Sequence, residues 1–292
     1  MPSVSALPES LAASRAAFTT RSAGSMCFYA DTSGSGRPLV LLHSVNAAPS
    51  AREMKPLFEH YRGKRPVYAP ELPGFGHSDR PDILYTPELY AEVLGDFLAK
   101  VGVSGADVIA LSLGAEFAAR LALQKPEAVR SLAFLSPTGM SVRRPPSGGT
   151  SVRIRRFLRT PVLGRALFSL VRSRLSIRHF LGLSFAGKAA PEMIEQAWRT
   201  ARLPGANHAP FCFLSGILFT ADAFESLYLR LMQPALVIYD RDPNVRFDRL
   251  AELLARSNWH ARRIAPTRGL AHWEQTAATV AALDGFWASI DG

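Results

Sequence analysis

The chain has 292 residues, 48% hydrophobic and 20% charged, with 34 Lys and Arg against 24 Asp and Glu. Such a composition excludes a disordered chain, and the length suits one large domain. No apolar run reaches the length of a membrane span, and residues 1–24 lack the basic start and apolar core of a secretory signal. A cytoplasmic protein, at most peripheral to a membrane, is expected. The formal excess of +10 comes without a recognisable nucleic-acid module, so nucleic acid is not an expected partner. Cys27 and Cys212 stand far apart and read as small buried hydrophobes. With no Cys/His cluster and no Gly-rich phosphate loop, neither a metal nor a cofactor is expected.

In chain order, residues 1–24 read as a flexible or peripheral arm. Strands are predicted near residues 26–31, 38–43, 66–70, 106–111, 131–136, 234–239 and 261–265, alternating with helical segments. This alternation implies an α/β protein with a mostly parallel sheet covered by helices on both faces, its ligands bound beyond the strand C-termini. Pro38-Leu-Val-Leu-Leu42 runs into His43-Ser44-Val45-Asn46, and Tyr68 leads to a loop carrying Gly74 and Gly76. Thr86-Pro87 opens a helix with a cap and a first-turn proline, and Leu89, Val93, Leu94 and Phe97 make its apolar stripe.

Asp107 to Leu111 reads as a buried strand that feeds Ala110-Leu-Ser112-Leu-Gly114-Ala115 and then a helix. A serine between small residues on a tight strand-to-helix turn projects its hydroxyl, where a base can activate it and N–H groups can stabilise an oxyanion. Capping of a buried helix is the plainer reading of that serine. Downstream, the apolar run Pro234–Tyr239 ends at Asp240-Arg-Asp242-Pro, and His272 follows the last predicted strand. The order Ser, acid, His differs from those of chymotrypsin-like and subtilisin-like enzymes.

Between about residues 140 and 222 the alternation stops and the chain reads as helical. Residues 141–180 hold ten arginines, no lysine and no carboxylate. Leu163, Ala166, Leu167, Leu170 and Val171 recur at helical spacing, with Arg165 and Arg172 away from them. A solvated helical face, a weak membrane-surface contact and a contact with an anionic substrate all remain open for this segment. The stretch Pro204–Leu214 is rich in aromatic and small residues.

These matches, over residues 25–140 and 230–290, resemble the α/β-hydrolases. Ala110, Ser44 and Tyr239 stand where that family shows glycine, and Glu71 where it shows aspartate. The resemblance implies a core of residues 25–139 and 223–292 with an inserted helical cap at 140–222. It implies Ser112 as nucleophile, His272 as base, Asp242 as the acid with Asp240 its rival, and the N–H groups of Val45 and Leu113 as oxyanion hole. Ser44, Asn46, Phe75, His208, Phe211 and Trp273 are candidate pocket residues. The expected activity is serine hydrolysis of a mostly apolar ester through an acyl-enzyme. Thioesters, lactones and carbon–carbon bonds are attacked by the same triad, and a non-hydrolytic cyclase or lyase or a silent ligand-binding protein are readings of another class. Haloalkane dehalogenases carry aspartate at the elbow, so Ser112 argues against that chemistry.

Overall fold

Side chains on the central strands alternate between two buried cores, and this alternation sets the layers. The computed structural model describes residues 7–143 and 145–292, without the side chains of Leu163 and Arg165. Among them, β1 (Ser14–Thr19), β2 (Ser25–Asp31), β3 (Leu39–Leu42), β4 (Val67–Pro70), β5 (Ala106–Leu111), β6 (Val129–Leu135), β7 (Ala235–Arg241) and β8 (Trp259–Arg268) form one sheet. Its order is β1-β2-β4-β3-β5-β6-β7-β8. The β2 strand runs antiparallel to both neighbours, and the pairs from β4 across to β8 are parallel.

The helices before the insertion are α1 (Lys55–Tyr61), α2 (Pro87–Lys100) and α3 (Gly114–Gln124). Between β6 and β7 come α4 (Gly149–Leu158), α5 (Leu163–Val171), α6 (Arg174–Leu183), α7 (Pro191–Thr200), α8 (His208–Leu214) and α9 (Ala223–Ser226). After β7 lie α10 (Leu250–Leu254), α11 (Ala271–Glu274) and α12 (Thr276–Asp291). Val40, Leu42, Val108 and Ala110 face one core with α2 and α3, through Leu94, Phe97, Phe117 and Leu121. Leu39, Leu41, Ile109 and Leu111 face the other, against Leu57 and Phe58 of α1 and Leu283, Phe286 and Trp287 of α12. A period of two thus buries both faces of each strand. Thr86 caps α2 by accepting from the Leu89 N–H at 3.2 Å.

Residues 14–19, expected within a peripheral arm, are instead an edge strand paired with β2 in full register from Ser14↔Ala30 to Thr19↔Ser25. Its side chains are nearly all exposed, so no apolar alternation announces it. Ser10 anchors the segment before it, its N–H donating to the Tyr29 hydroxyl and its Oγ to buried Glu71.

Helices α4 to α9 lie between β6 and β7 in the chain. Leu158 and Phe168 pack with Ala206 and Phe211, and Ile177 packs with Ala197, Ala201 and Ala48 of the core. Val152, Phe157, Leu170, Leu175 and Phe180 stay exposed. No helix of the described residues is long and apolar enough to cross a membrane. Glu274 ties this insertion to the sheet: its carboxylate accepts from the Ala186 and Gly187 N–H groups and from the N–H of Arg268 at the end of β8.

Glu116, in the first turn of α3, is 1% exposed and accepts from the Thr138 hydroxyl and the Thr220 N–H. Burial pushes its carboxyl up to about 7. The folded state therefore binds this proton more tightly than the unfolded chain, whose carboxyl titrates near 4.5. The stability it contributes is complete below the unfolded value and is lost as pH rises through about 7. Thermal melts from about pH 5 to 8 should show wild type losing stability relative to Glu116→Gln. A gap between the two that does not change with pH would refute the assignment.

Candidate active site

The sheet reverses its winding between β3 and β5, which pair in parallel as far as Leu42↔Ala110. Their following loops therefore emerge side by side, where α/β sheets bind ligands. Ser112 leaves β5 with φ 52, a left-handed conformation that side chains rarely adopt. The turn is forced by close packing. A Cβ at Gly114 would lie 2.7 Å from the His43 carbonyl oxygen, so glycine is needed there. Ala110 is fully buried in the larger core and keeps its methyl.

Across from this turn, the loop after β3 is held by two buried groups. His43 Nε2 accepts from the Leu72 N–H at 3.0 Å, so Nδ1 carries the proton and donates to the Ser44 carbonyl at 2.6 Å. The Glu53 carboxylate accepts from the Ser44 N–H at 2.8 Å and the Asn46 amide at 2.9 Å. Asn46 also donates to Ser44 Oγ and accepts from the Ala48 N–H. Among the described residues, the N–H groups of Val45 and Leu113 have no partner, and both residues border the cleft over Ser112.

Asp242 reaches the same cleft. Its Oδ1 accepts from the Asn244 and Val245 N–H groups at 2.7 and 2.9 Å, and Ser136 lines the same cleft. Burial outweighs these bonds and raises its carboxyl above the usual value. Asp240 points elsewhere: it accepts from Arg263 Nε at 2.7 Å and the Thr267 N–H at 3.0 Å. Burial opposes its charge, yet those partners hold its carboxyl below the ordinary range.

His272 is not joined to either residue. It lies on α11, fully buried, and its Nε2 donates to the Glu53 carbonyl at 2.7 Å. Trp273 Nε1 donates to the same oxygen at 2.6 Å. Nδ1 is buried without a partner among the described residues, and desolvation lowers the ring to about 4. The imidazole is therefore neutral near pH 7, with its Nε2 proton committed to Glu53. Asp242 instead meets Gly269, where φ is +91 and a Cβ would sit 2.6 Å from Oδ2. The loop after β8 thus puts bare backbone against the carboxylate where the sequence reading had the base.

The structure brings Ser112, Asp242, Val45, Leu113, Ser44 and Asn46 around one cleft of about 160 Å³. It does not bring His272, Phe75, His208, Phe211 or Trp273 there. Phe75 packs edge-on against His43, and Phe211 packs against Phe168. His208 Nδ1 donates to the Arg80 carbonyl, and Trp273 is spent on Glu53. The cleft also holds Phe213, from the aromatic stretch Pro204–Leu214, and residues without an expected role there, among them Glu53, Ser136, Thr138 and Phe219. Ser136 and Thr138 follow a parallel strand, a position that itself signals a site. Glu53 sits in an ordinary-looking turn and gives no sequence signal. Asn46, Glu53, Leu181, Ser184, Phe213 and Asn244 also border an adjoining, mainly apolar chamber of about 320 Å³ under α6 and α7. Among the described residues no group of three or more His, Cys, Asp and Glu could hold a metal ion.

The fold and this cleft at the strand ends define the class: the chain belongs to the alpha/beta hydrolase fold family, whose profile matches residues 37–256. It is similar to the 2-hydroxymuconate semialdehyde hydrolase of Pseudomonas sp. (strain CF600), 31% identical over 111 residues, covering 37% of this chain and 39% of that one. It is also similar to a haloalkane dehalogenase of Bradyrhizobium diazoefficiens, 35% identical over 117 residues, covering 38% and 36%. The matched part is thus less than half the length of these curated relatives. Among solved structures, Cfl2 from Burkholderia cenocepacia superposes with a TM-score of 0.75 at 21% identity, covering 93% of this chain and 95% of that one. At that identity the likeness is one of fold.

Replacing Glu53 by Ala leaves the buried Ser44 N–H unpaired and takes one of its two acceptors from the Asn46 amide, which should cost about 1–3 kcal/mol in urea unfolding. Glu53→Gln, which keeps one carbonyl acceptor, should lose less. Equal stability of Glu53→Ala and wild type would mean that water replaces both bonds.

Proposed function

We propose that the chain is a hydrolase-fold enzyme for an apolar carboxylic ester, with Ser112 as nucleophile and a base that is not His272 in its folded position. The observation that carries this reading is the serine at a left-handed turn between two unpartnered N–H groups, Val45 and Leu113. Those donors suit the oxyanion formed when Ser112 Oγ adds to a carbonyl carbon. The chamber beside Leu181 and Phe213 offers room for an apolar acyl or alcohol group. Collapse of the adduct would expel the alcohol, which takes up the Ser112 hydroxyl proton by way of water in the cleft; a second water would then add to the acyl group, release the acid and return a proton to Ser112 Oγ. In serine triads the oxyanion hole and binding still accelerate the reaction about 10³–10⁴-fold when the triad is disabled. Slow turnover is therefore expected here.

A second reading, ligand binding without turnover, is favoured by the direction of His272. The bond type within the acyl class is also part of the proposal, because fold and triad type do not separate esters from thioesters, lactones or carbon–carbon substrates.

The test pairs two variants on an aryl ester and a fluorophosphonate probe. Ser112→Ala should abolish labelling and turnover while leaving the fold intact. His272→Gln, which can still donate to the Glu53 carbonyl, should keep turnover within about tenfold of wild type. Loss of His in a working triad costs on the order of 10⁶ in kcat. A collapse of that size in folded His272→Gln would make His272 the base and overturn this arrangement. Absence of both labelling and turnover in wild type would favour the binding reading.

A further inference from the structure

Phe219 borders the cleft over Ser112 and also a second, larger groove of about 730 Å³. The groove is lined by the start of α4 and by Arg155, Arg156 and Arg159, with Leu84, Val152 and Ile217 as apolar wall. Gly148 caps α4 without a side chain to accept its first-turn N–H groups, so the positive end of the helix is unsatisfied. A helix end alone decides little, but Ser151 adds an independent observation. It is 2% exposed, lines the groove, and its Oγ has no partner among the described residues.

The arginines divide into braced and free. Arg159 is held by Asp82, and Arg155 donates to Cys212 Sγ and the Ile83 carbonyl, each at 3.3 Å. Arg156 is exposed and has no partner among the described residues. Residues 141–180 carry no carboxylate that could neutralise it. Guanidinium groups, helix N–H groups and a hydroxyl together select a carboxylate or phosphate oxygen, and the apolar wall selects a hydrocarbon beside it.

We propose that this groove binds the anionic head, carboxylate or phosphate, of a single-chain amphiphile. Its alkyl chain lies along Leu84, Val152 and Ile217 toward Phe219. The site is distinct from the cleft over Ser112 and does not depend on turnover there.

Calorimetric titration of the full chain tests it, with dodecyl phosphate below its micellar concentration, inorganic phosphate and the neutral dodecyl maltoside. Dodecyl phosphate should bind one to one, at least about tenfold more tightly than either of the others. Arg156→Gln, a change at an exposed side chain, and Ser151→Val should each weaken it by about threefold or more. Ser112→Ala should leave it unchanged. Equal affinity for the neutral amphiphile, no binding, no loss in either groove variant, or a loss in Ser112→Ala would overturn the proposal. Binding to phosphatidylglycerol vesicles with none to monomeric dodecyl phosphate would also overturn it, in favour of adsorption to a lipid surface.

Discussion

The approach of Gly114 to the His43 carbonyl is the constraint on which the cleft depends. With 2.7 Å between that oxygen and any Cβ at 114, the first turn of α3 can rest on the loop after β3. That contact brings the Leu113 and Val45 N–H groups to the same cleft. It also explains why Ser112 bears a strained backbone: the chain must turn from strand to helix within two residues. Glu53 completes the arrangement from below, its side chain gripping the loop and its carbonyl taking the protons of His272 and Trp273.

One residue thereby serves two purposes that pull against each other chemically. The Glu53 carbonyl satisfies His272 as a structural donor, and that same bond removes Nε2 from the cleft. The Asp242 carboxylate is satisfied by the Asn244 and Val245 N–H groups. The cleft therefore holds two N–H groups without a partner, Val45 and Leu113, while the ring of His272 is turned to the Glu53 carbonyl.

Much of this was legible in the residues. The strand-helix alternation gave the order of elements because parallel strands buried on both faces read as continuous apolar runs, as in Val108–Leu111 and Ala235–Ile238. Ser112, Asp242 and the loop of Val45 were legible because each follows such a run directly. Beyond that the signal weakens. β1 carries no apolar alternation and owes its place to main-chain pairing with β2. The orientation of His272 depends on Glu53, more than two hundred residues away, through a carbonyl that every residue possesses. Pocket residues in α8 were judged by aromatic content, which cannot distinguish Phe213, beside the cleft, from Phe211, packed on Phe168.

Glu274 has a consequence for how ligands enter. Its carboxylate fastens residues 186 and 187 of the insertion to the backbone at the end of β8. The other side is held as well: on α4 Arg159 pairs with Asp82, and on α8 His208 donates to the Arg80 carbonyl. Lifting either side from the core would therefore break polar bonds as well as part apolar side chains.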